Sequence, residues 1–159
     1  MHTATKSSKI DISLEKNTEF ISKKFSNCIK KGDIIFFYGE LGVGKTTFIK
    51  YLINNLQNKN KLNLTEIPSP TFNIVNEYKI DGIIINHYDL FKLKDSKELN
   101  NIGLFENNSE VLTFVEWPEI ISNKPKNIIE LFFSYENDFK ERKLEIFSEY
   151  RKEIINEFK

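Results

Sequence analysis

Cysteine is nearly absent. Cys28 is the only one in 159 residues, which excludes an intramolecular disulfide framework, and with it any disulfide partner, and a cysteine-rich metal site. Arginine is almost as scarce, with Arg142 and Arg151 set against 21 lysines. Enzymes that clamp two phosphorylated substrates draw on several bidentate guanidinium forks, so a small-molecule or nucleotide kinase is disfavoured. Net charge is missing too, because 23 basic and 23 acidic residues cancel. No global field therefore draws the chain onto nucleic acid or an anionic membrane, and any RNA must be reached through a partner or a local patch. No apolar run exceeds strand length, so no membrane span is expected. Met1–Ser8 is polar and lacks the apolar stretch of a secretory signal, so a cytoplasmic location is expected.

Glycine is rationed as well, and the placement of the few is informative. Of six in the chain, three fall within Gly39-Glu40-Leu41-Gly42-Val43-Gly44-Lys45-Thr46, which fits G-x-x-x-x-G-K-[ST] without a mismatch. A loop that wraps a pyrophosphate must turn backbone N–H groups inward, through angles that side chains obstruct and glycine permits. Asp33–Tyr38 reads as a buried strand leading in, and Thr47–Ile53 as an amphipathic helix leading out, the context that gives the motif its meaning. A nucleoside triphosphate site follows. Glu40, Leu41, Gly42, Val43, Gly44, Lys45, Thr46 and Thr47 form its cradle, Lys45 meets the outer phosphates, and the Thr46 hydroxyl serves as a magnesium ligand.

The remaining elements predict one α/β domain over residues 1–159. Its expected form is a P-loop NTPase-like, mixed and mostly parallel sheet flanked by helices, with an antiparallel hairpin insertion. Lys9–Ser13 alternates as a short strand. A helix from Asn17 or Thr18 to Cys28-Ile29 carries Phe20, Ile21, Phe25, Cys28 and Ile29 as its apolar stripe, with Cys28 a small core residue. Asn54–Thr65 is polar and reads as a surface loop. Pro68 and Pro70 stiffen the approach to a strand over Asn73–Ile80, and Asp81-Gly82 turns it back into Ile83–Leu90. A short capped helix begins at Asp95, and Val111–Val115 is a buried strand. Ile128–Tyr135 and Lys143–Ser148 flank the turn Glu136–Asp138, and Glu149–Lys159 is expected to be a solvated helical tail.

A P-loop enzyme holds magnesium partly through an acid at the end of a neighbouring apolar strand. Glu116 stands there, one methylene longer than the usual aspartate, for direct or water-mediated contact. His87 and Asp89 lie two apart on one strand face. Asp89 is a candidate to orient the attacking water with His87 bracing it, and a purely structural His–Asp pair fits equally well. Thr71 follows the loop by about 25 residues, a separation suited to a switch threonine that senses the γ-phosphate, although the prolines can also simply shape the strand. Trp117, the sole tryptophan, is a candidate wall of the site or a contact surface.

Taken together, Gly39–Thr46, Ser69-Pro70-Thr71-Phe72, His87-Tyr88-Asp89-Leu90, Gly103-Leu104-Phe105-Glu106 and Val115-Glu116-Trp117-Pro118-Glu119 resemble, in order and spacing, the bacterial TsaE (YjeE) family. These are small ATPases of threonylcarbamoyladenosine tRNA modification. The resemblance spans about Thr18 to Arg142. It implies ATP binding and slow hydrolysis, with Thr46 and Glu116 on magnesium, Asp89 and Thr18 near the nucleotide, and Arg142 matching a family arginine on a late strand. Together with the reading of the residues, this makes Lys45, Asp89 and Glu116 the expected catalytic set and adds Thr71, Trp117 and Arg142 to the expected nucleotide contacts. It also implies work on the TsaD–TsaB threonylcarbamoyl transferase complex, with tRNA reached indirectly. Phe91-Lys92 stands where the family usually has Tyr-Arg, and Phe105-Glu106 where it has a double Glu.

Two other classes compete. Asn123-Lys124-Pro125-Lys126 begins like the guanine signature N-K-x-D, but Lys126 replaces the aspartate that would accept from guanine, which disfavours a GTPase switch. A nucleotide-dependent adaptor, with hydrolysis incidental, differs from an ATPase in how an Asp89→Ala protein behaves.

Overall fold

The computed structural model describes residues 5–159. Met1–Ala4, the start of the polar N-terminal stretch, lie outside them. At the centre is β2 (Ile34–Tyr38), all five residues of which are buried. Its continuous apolar run is that of a strand covered on both faces. Alternation sends Ile35 and Phe37 into one apolar layer and Ile34, Phe36 and Tyr38 into the other.

Around β2 the strands β1 (Ile10–Asp11), β3 (Val75–Ile80), β4 (Ile83–Asp89), β5 (Val111–Glu116), β6 (Ile128–Glu136) and β7 (Glu141–Phe147) complete a seven-stranded sheet. Its order is β1-β7-β6-β2-β5-β4-β3. β6, β2, β5 and β4 run parallel through the middle, while β3 and β7 add antiparallel neighbours and β1 pairs briefly with β7. The helices α1 (Glu15–Ser26), α2 (Lys45–Lys59) and α3 (Lys152–Glu157) share one face. Phe25 is their junction, with ring centroids 6.0 Å from Phe48 and 6.2 Å from Phe158. The opposite face is covered by two 3-10 turns, Ser96–Asn101 and Pro118–Ile120, and by Phe105, whose ring stacks 6.2 Å from Phe36. The architecture is the expected mixed α/β sheet, parallel in its core.

Several boundaries differ from the sequence reading, each for a packing reason. α1 starts earlier, with Leu14 rather than Asn17 or Thr18 at its N-cap and no side chain capping it. Phe20 is 67% exposed and is not part of the stripe that Phe25 anchors. α2 continues to Lys59 because Leu56 and Gln57 are buried, so half of the expected Asn54–Thr65 loop is helix. Asn has low helix propensity, and tertiary burial overrides it. The rest of that loop is fastened to the helix, with the Gln57 amide donating to the Thr65 hydroxyl at 2.8 Å and the Asn54 amide to the Thr65 carbonyl at 3.0 Å. β3 begins two residues later than expected because Ile74 takes a left-handed turn at φ 69°.

The C-terminal tail is helical over Lys152–Glu157, but it is not solvated throughout, because one of its faces is packed against the core. Ile154, Ile155 and Phe158 are buried in the core. Arg151, also buried, donates to the Asp33 carboxylate at the foot of β2, to Glu153, and to the Cys28 carbonyl at 2.7 Å. Removing the cation would strand a buried Asp33 charge. We therefore expect Arg151→Met to lose about 3–5 kcal/mol in urea denaturation, while Phe20→Ser leaves the midpoint essentially unchanged.

Candidate nucleotide site

Parallel strands of an open α/β sheet carry their ligands beyond their carboxyl ends. Here β2, β4 and β5 end in Tyr38, Asp89 and Glu116, and a cleft of about 230 Å³ opens there. Leu41, Gly42, Gly44, Lys45, Thr46, Thr47, Thr71, Asp89, Glu116 and Trp117 border it, joined by Ser69 and Phe91.

The loop shape depends on missing side chains. A Cβ on Gly39, at φ +145°, would meet the Phe133 carbonyl oxygen and Val43 Cγ1, each at 2.8 Å. The first turn of α2 begins at Gly44, at φ +115°, with no side-chain cap. Its leading N–H groups are therefore presented at the cleft, where the positive end of the helix favours an anion. Val43 is wholly buried and anchors the loop from beneath, and the Glu40 carbonyl lies 3.4 Å from the Lys45 ammonium.

Lys45 itself is buried, and burial pushes its ammonium below the usual lysine range against the opposing pull of Glu116, Glu119 and Asp89. It donates to the Gly39 carbonyl and lies 3.7 Å from the centre of the Trp117 ring, a cation–π contact. Trp117 reaches that position through a left-handed backbone, φ 57° and ψ 54°, a strained conformation for so bulky a residue. Phe91 packs on its ring at 4.9 Å.

Two carboxylates close the floor and the lip. Glu116, 2% exposed, accepts from the Thr46 hydroxyl at 2.9 Å through Oε1 and lies 2.7 Å from His87 Nε2 through Oε2. Asp89 accepts from the Thr71 hydroxyl at 2.7 Å, the Ser69 hydroxyl at 3.4 Å and the Phe91 backbone N–H at 3.0 Å. His87 and Asp89 are thus not a pair, in either the bracing or the structural sense. The parallel register sets His87 beside Phe114 and Asp89 beside Glu116. On their shared face, this leaves His87 one pleat below Glu116 and Asp89 at the edge, within reach of residues 69–71.

Thr18 and Arg142 do not border the cleft. The buried Thr18 hydroxyl donates to the Ile12 carbonyl at 3.4 Å. Arg142 on β7 stands 5.7 Å over the Tyr135 ring, whose hydroxyl lies 3.6 Å from where a Cβ on Gly42 would sit. Three features escaped sequence reasoning: the Ser69 hydroxyl, the Phe91 ring and amide, and the His87 contact to Glu116. A serine between two prolines, two positions before the suspected switch threonine, was the available signal for the first. The other two depend on strand register, which carries no local signal.

Trp117 is the only tryptophan, so its emission reports this contact alone. Lys45→Met is expected to change the intensity and wavelength of that emission in the absence of any added ligand. A superimposable spectrum would place the ammonium away from the indole in solution.

Comparison with known proteins bears on the family and the fold. The family model described as "Threonylcarbamoyl adenosine biosynthesis protein TsaE" matches residues 12–144. A Rickettsia bellii protein described as "tRNA threonylcarbamoyladenosine biosynthesis protein TsaE" is 38% identical over 137 residues, covering 86% of this chain and 92% of that one. An Aquifex aeolicus protein of the same description is 36% identical over 115 residues, covering 72% and 78%. The crystal structure of Bacillus subtilis YdiB superposes with a TM-score of 0.72 at 22% identity, covering 99% of this chain and 95% of that one, which speaks to the fold. A family model that matches residues 12–144 and a relative 38% identical over most of both chains lead to one assignment: this chain belongs to the TsaE family of tRNA threonylcarbamoyladenosine biosynthesis.

Proposed function

We propose that the chain binds ATP with magnesium and hydrolyses it slowly. In this reading it acts on the TsaD–TsaB threonylcarbamoyl transferase complex, resetting it between turnovers, and meets tRNA only through that complex. The observation that carries the reading is the convergence, in one cleft, of the glycine loop, the Lys45 ammonium, the Thr46–Glu116 hydrogen bond and the Asp89–Thr71 hydrogen bond.

The donor chemistry suits magnesium. Thr46 and Glu116 present hard oxygens 2.9 Å apart, and no cluster of three or more His, Cys, Asp or Glu that could hold a metal occurs among the described residues. Magnesium in nucleotide sites takes one or two protein oxygens and leaves the rest to water and phosphate. Thr46 and Glu116 would hold it, and its charge would offset that of the phosphates.

The chain's own groups supply the rest. Loop amides and the Lys45 ammonium take the phosphate oxygens. Trp117 and Phe91 wall off water from one side. Asp89, oriented by three donors, keeps one Oδ1 lone pair free to align an attacking water. Thr18 and Arg142 lie outside the cleft wall and would be reached only by the nucleoside end of the ligand. The Thr71–Asp89 bond also connects the site to the surface, since the next residue, Phe72, is 85% exposed. Leu41, Phe91 and Phe139 are exposed nearby in sequence or contact, an apolar rim of the kind that marks a protein partner. No helix among the described residues is long and apolar enough to cross a membrane. A cytoplasmic location is part of this reading and is supported by the tRNA-modifying role of the family.

The test is threonylcarbamoyl transfer reconstituted over many turnovers, with and without this protein and ATP. Product should accumulate past one equivalent only when both are present. Lys45→Ala should lose nucleotide binding and reset activity together. Asp89→Ala should keep partner binding, lose hydrolysis by about 10²-fold and lose reset. An Asp89→Ala protein that loses hydrolysis alone would make the chain an adaptor instead. Equal multi-turnover yields without this protein would refute the role.

A further inference from the structure

Among the described residues, His87 is a buried ionisable group beside the cleft that the reading above leaves without a task. It is 0% exposed, on the central face of β4, and its Nε2 lies 2.7 Å from Glu116 Oε2. Its other ring nitrogen, Nδ1, is buried and has no hydrogen-bond partner. A buried N–H without an acceptor is costly, whereas a buried lone pair is tolerated better, so the partners assign the proton to Nε2. The ring therefore donates to Glu116, and the direction of the bond is fixed by what surrounds the opposite side of the imidazole.

We propose that His87 is a positioning residue for the magnesium site, holding Glu116 in the one rotamer that offers Oε1 to Thr46 and the ion. This inference rests on the nucleotide-and-metal reading of the cleft. Glutamate has one more rotatable bond than the aspartate usual at this position of P-loop enzymes, and its carboxylate can swing by several ångströms if nothing holds it. The Nε2–H bond occupies Oε2 and removes that freedom. The Thr46 hydroxyl then finds Oε1 at 2.9 Å. A three-member relay results, from a ring beneath the sheet edge, through a carboxylate, to the hydroxyl at the first turn of α2. The arrangement also accounts for the spacing of H-x-D on β4. Two positions separate a residue that serves Glu116 from one that serves the cleft lip, and a shift by one would turn both to the wrong face. Hydrogen-bonded partners of metal ligands commonly change metal affinity 10–100-fold when removed.

The test separates this role from mere packing. Full-length His87→Gln, whose amide N–H can reach towards the Nε2 position, is compared with His87→Leu and with His87→Asn, whose shorter amide cannot. Binding of a fluorescent ATP analogue is measured in EDTA. Affinity for Mn²⁺, a paramagnetic stand-in for magnesium, is then measured by electron paramagnetic resonance with a non-hydrolysable ATP analogue present. Circular dichroism verifies folding. The expected result is metal-free nucleotide affinity within about twofold of the parent in every folded variant. Mn²⁺ affinity should be retained in His87→Gln and weakened about 10-fold or more in His87→Leu and His87→Asn. Parent-like Mn²⁺ affinity in a folded Leu or Asn variant would overturn the proposal. So would an equal loss in the EDTA arm, or a folded Gln variant that binds Mn²⁺ as weakly as the Leu variant. If the parent protein itself binds no Mn²⁺ beside the analogue, the cleft reading fails, an outcome distinct from failure of the variants.

Discussion

A carboxylate taken almost entirely out of water must recover in hydrogen bonds what it loses in hydration, and Glu116 is the group on which that demand falls hardest. Its two oxygens are served from two directions, by the Thr46 hydroxyl at the head of α2 and by His87 on β4. Meeting the demand requires β2 to deliver the glycine loop, β5 to end at residue 116, and β4 to run in a register that places His87 one pleat back. The central parallel strands are thus tied to the site by the electrostatics of a single side chain, and not by shape alone.

The parts of the fold that were legible in the sequence are those whose physics is local. Ile34–Tyr38 is an unbroken apolar run, and it is the strand buried on both faces. Asp81-Gly82 carries the residues that tolerate positive φ, and both adopt it, at 38° and 82°. Asp95 was expected to cap a short helix, and its side chain accepts from the Lys97 N–H. The glycine pattern of residues 39–46 announced the loop in the same way.

What was hidden depends on partners far along the chain. Lysine- and asparagine-rich stretches look solvated from composition, yet Leu56 and Gln57 extend α2 and Ile154, Ile155 and Phe158 turn the tail into core. Phe20 erred in the other direction, an aromatic at a helical position that no neighbour covers. At the site, residue types were readable but pairings were not. That His87 answers to Glu116 and Asp89 to Thr71 follows from register between β4 and β5 and from a turn at Ile74, neither of which leaves a mark on any window of sequence.

The Thr46–Glu116 contact joins residues 70 positions apart, and parallel pairings of that kind form late because they close long loops before they are rewarded. A chain that has built only its first half, or only the β6–β7 hairpin, has a glycine loop without the acid opposite it. Any ligand that needs both therefore sees only molecules whose central sheet is finished. By mass action such a ligand stabilises the finished state, by about 2.7 kcal/mol at a hundred times its dissociation constant. Full affinity at such a cleft is therefore available only to chains in which β4 and β5 have already paired.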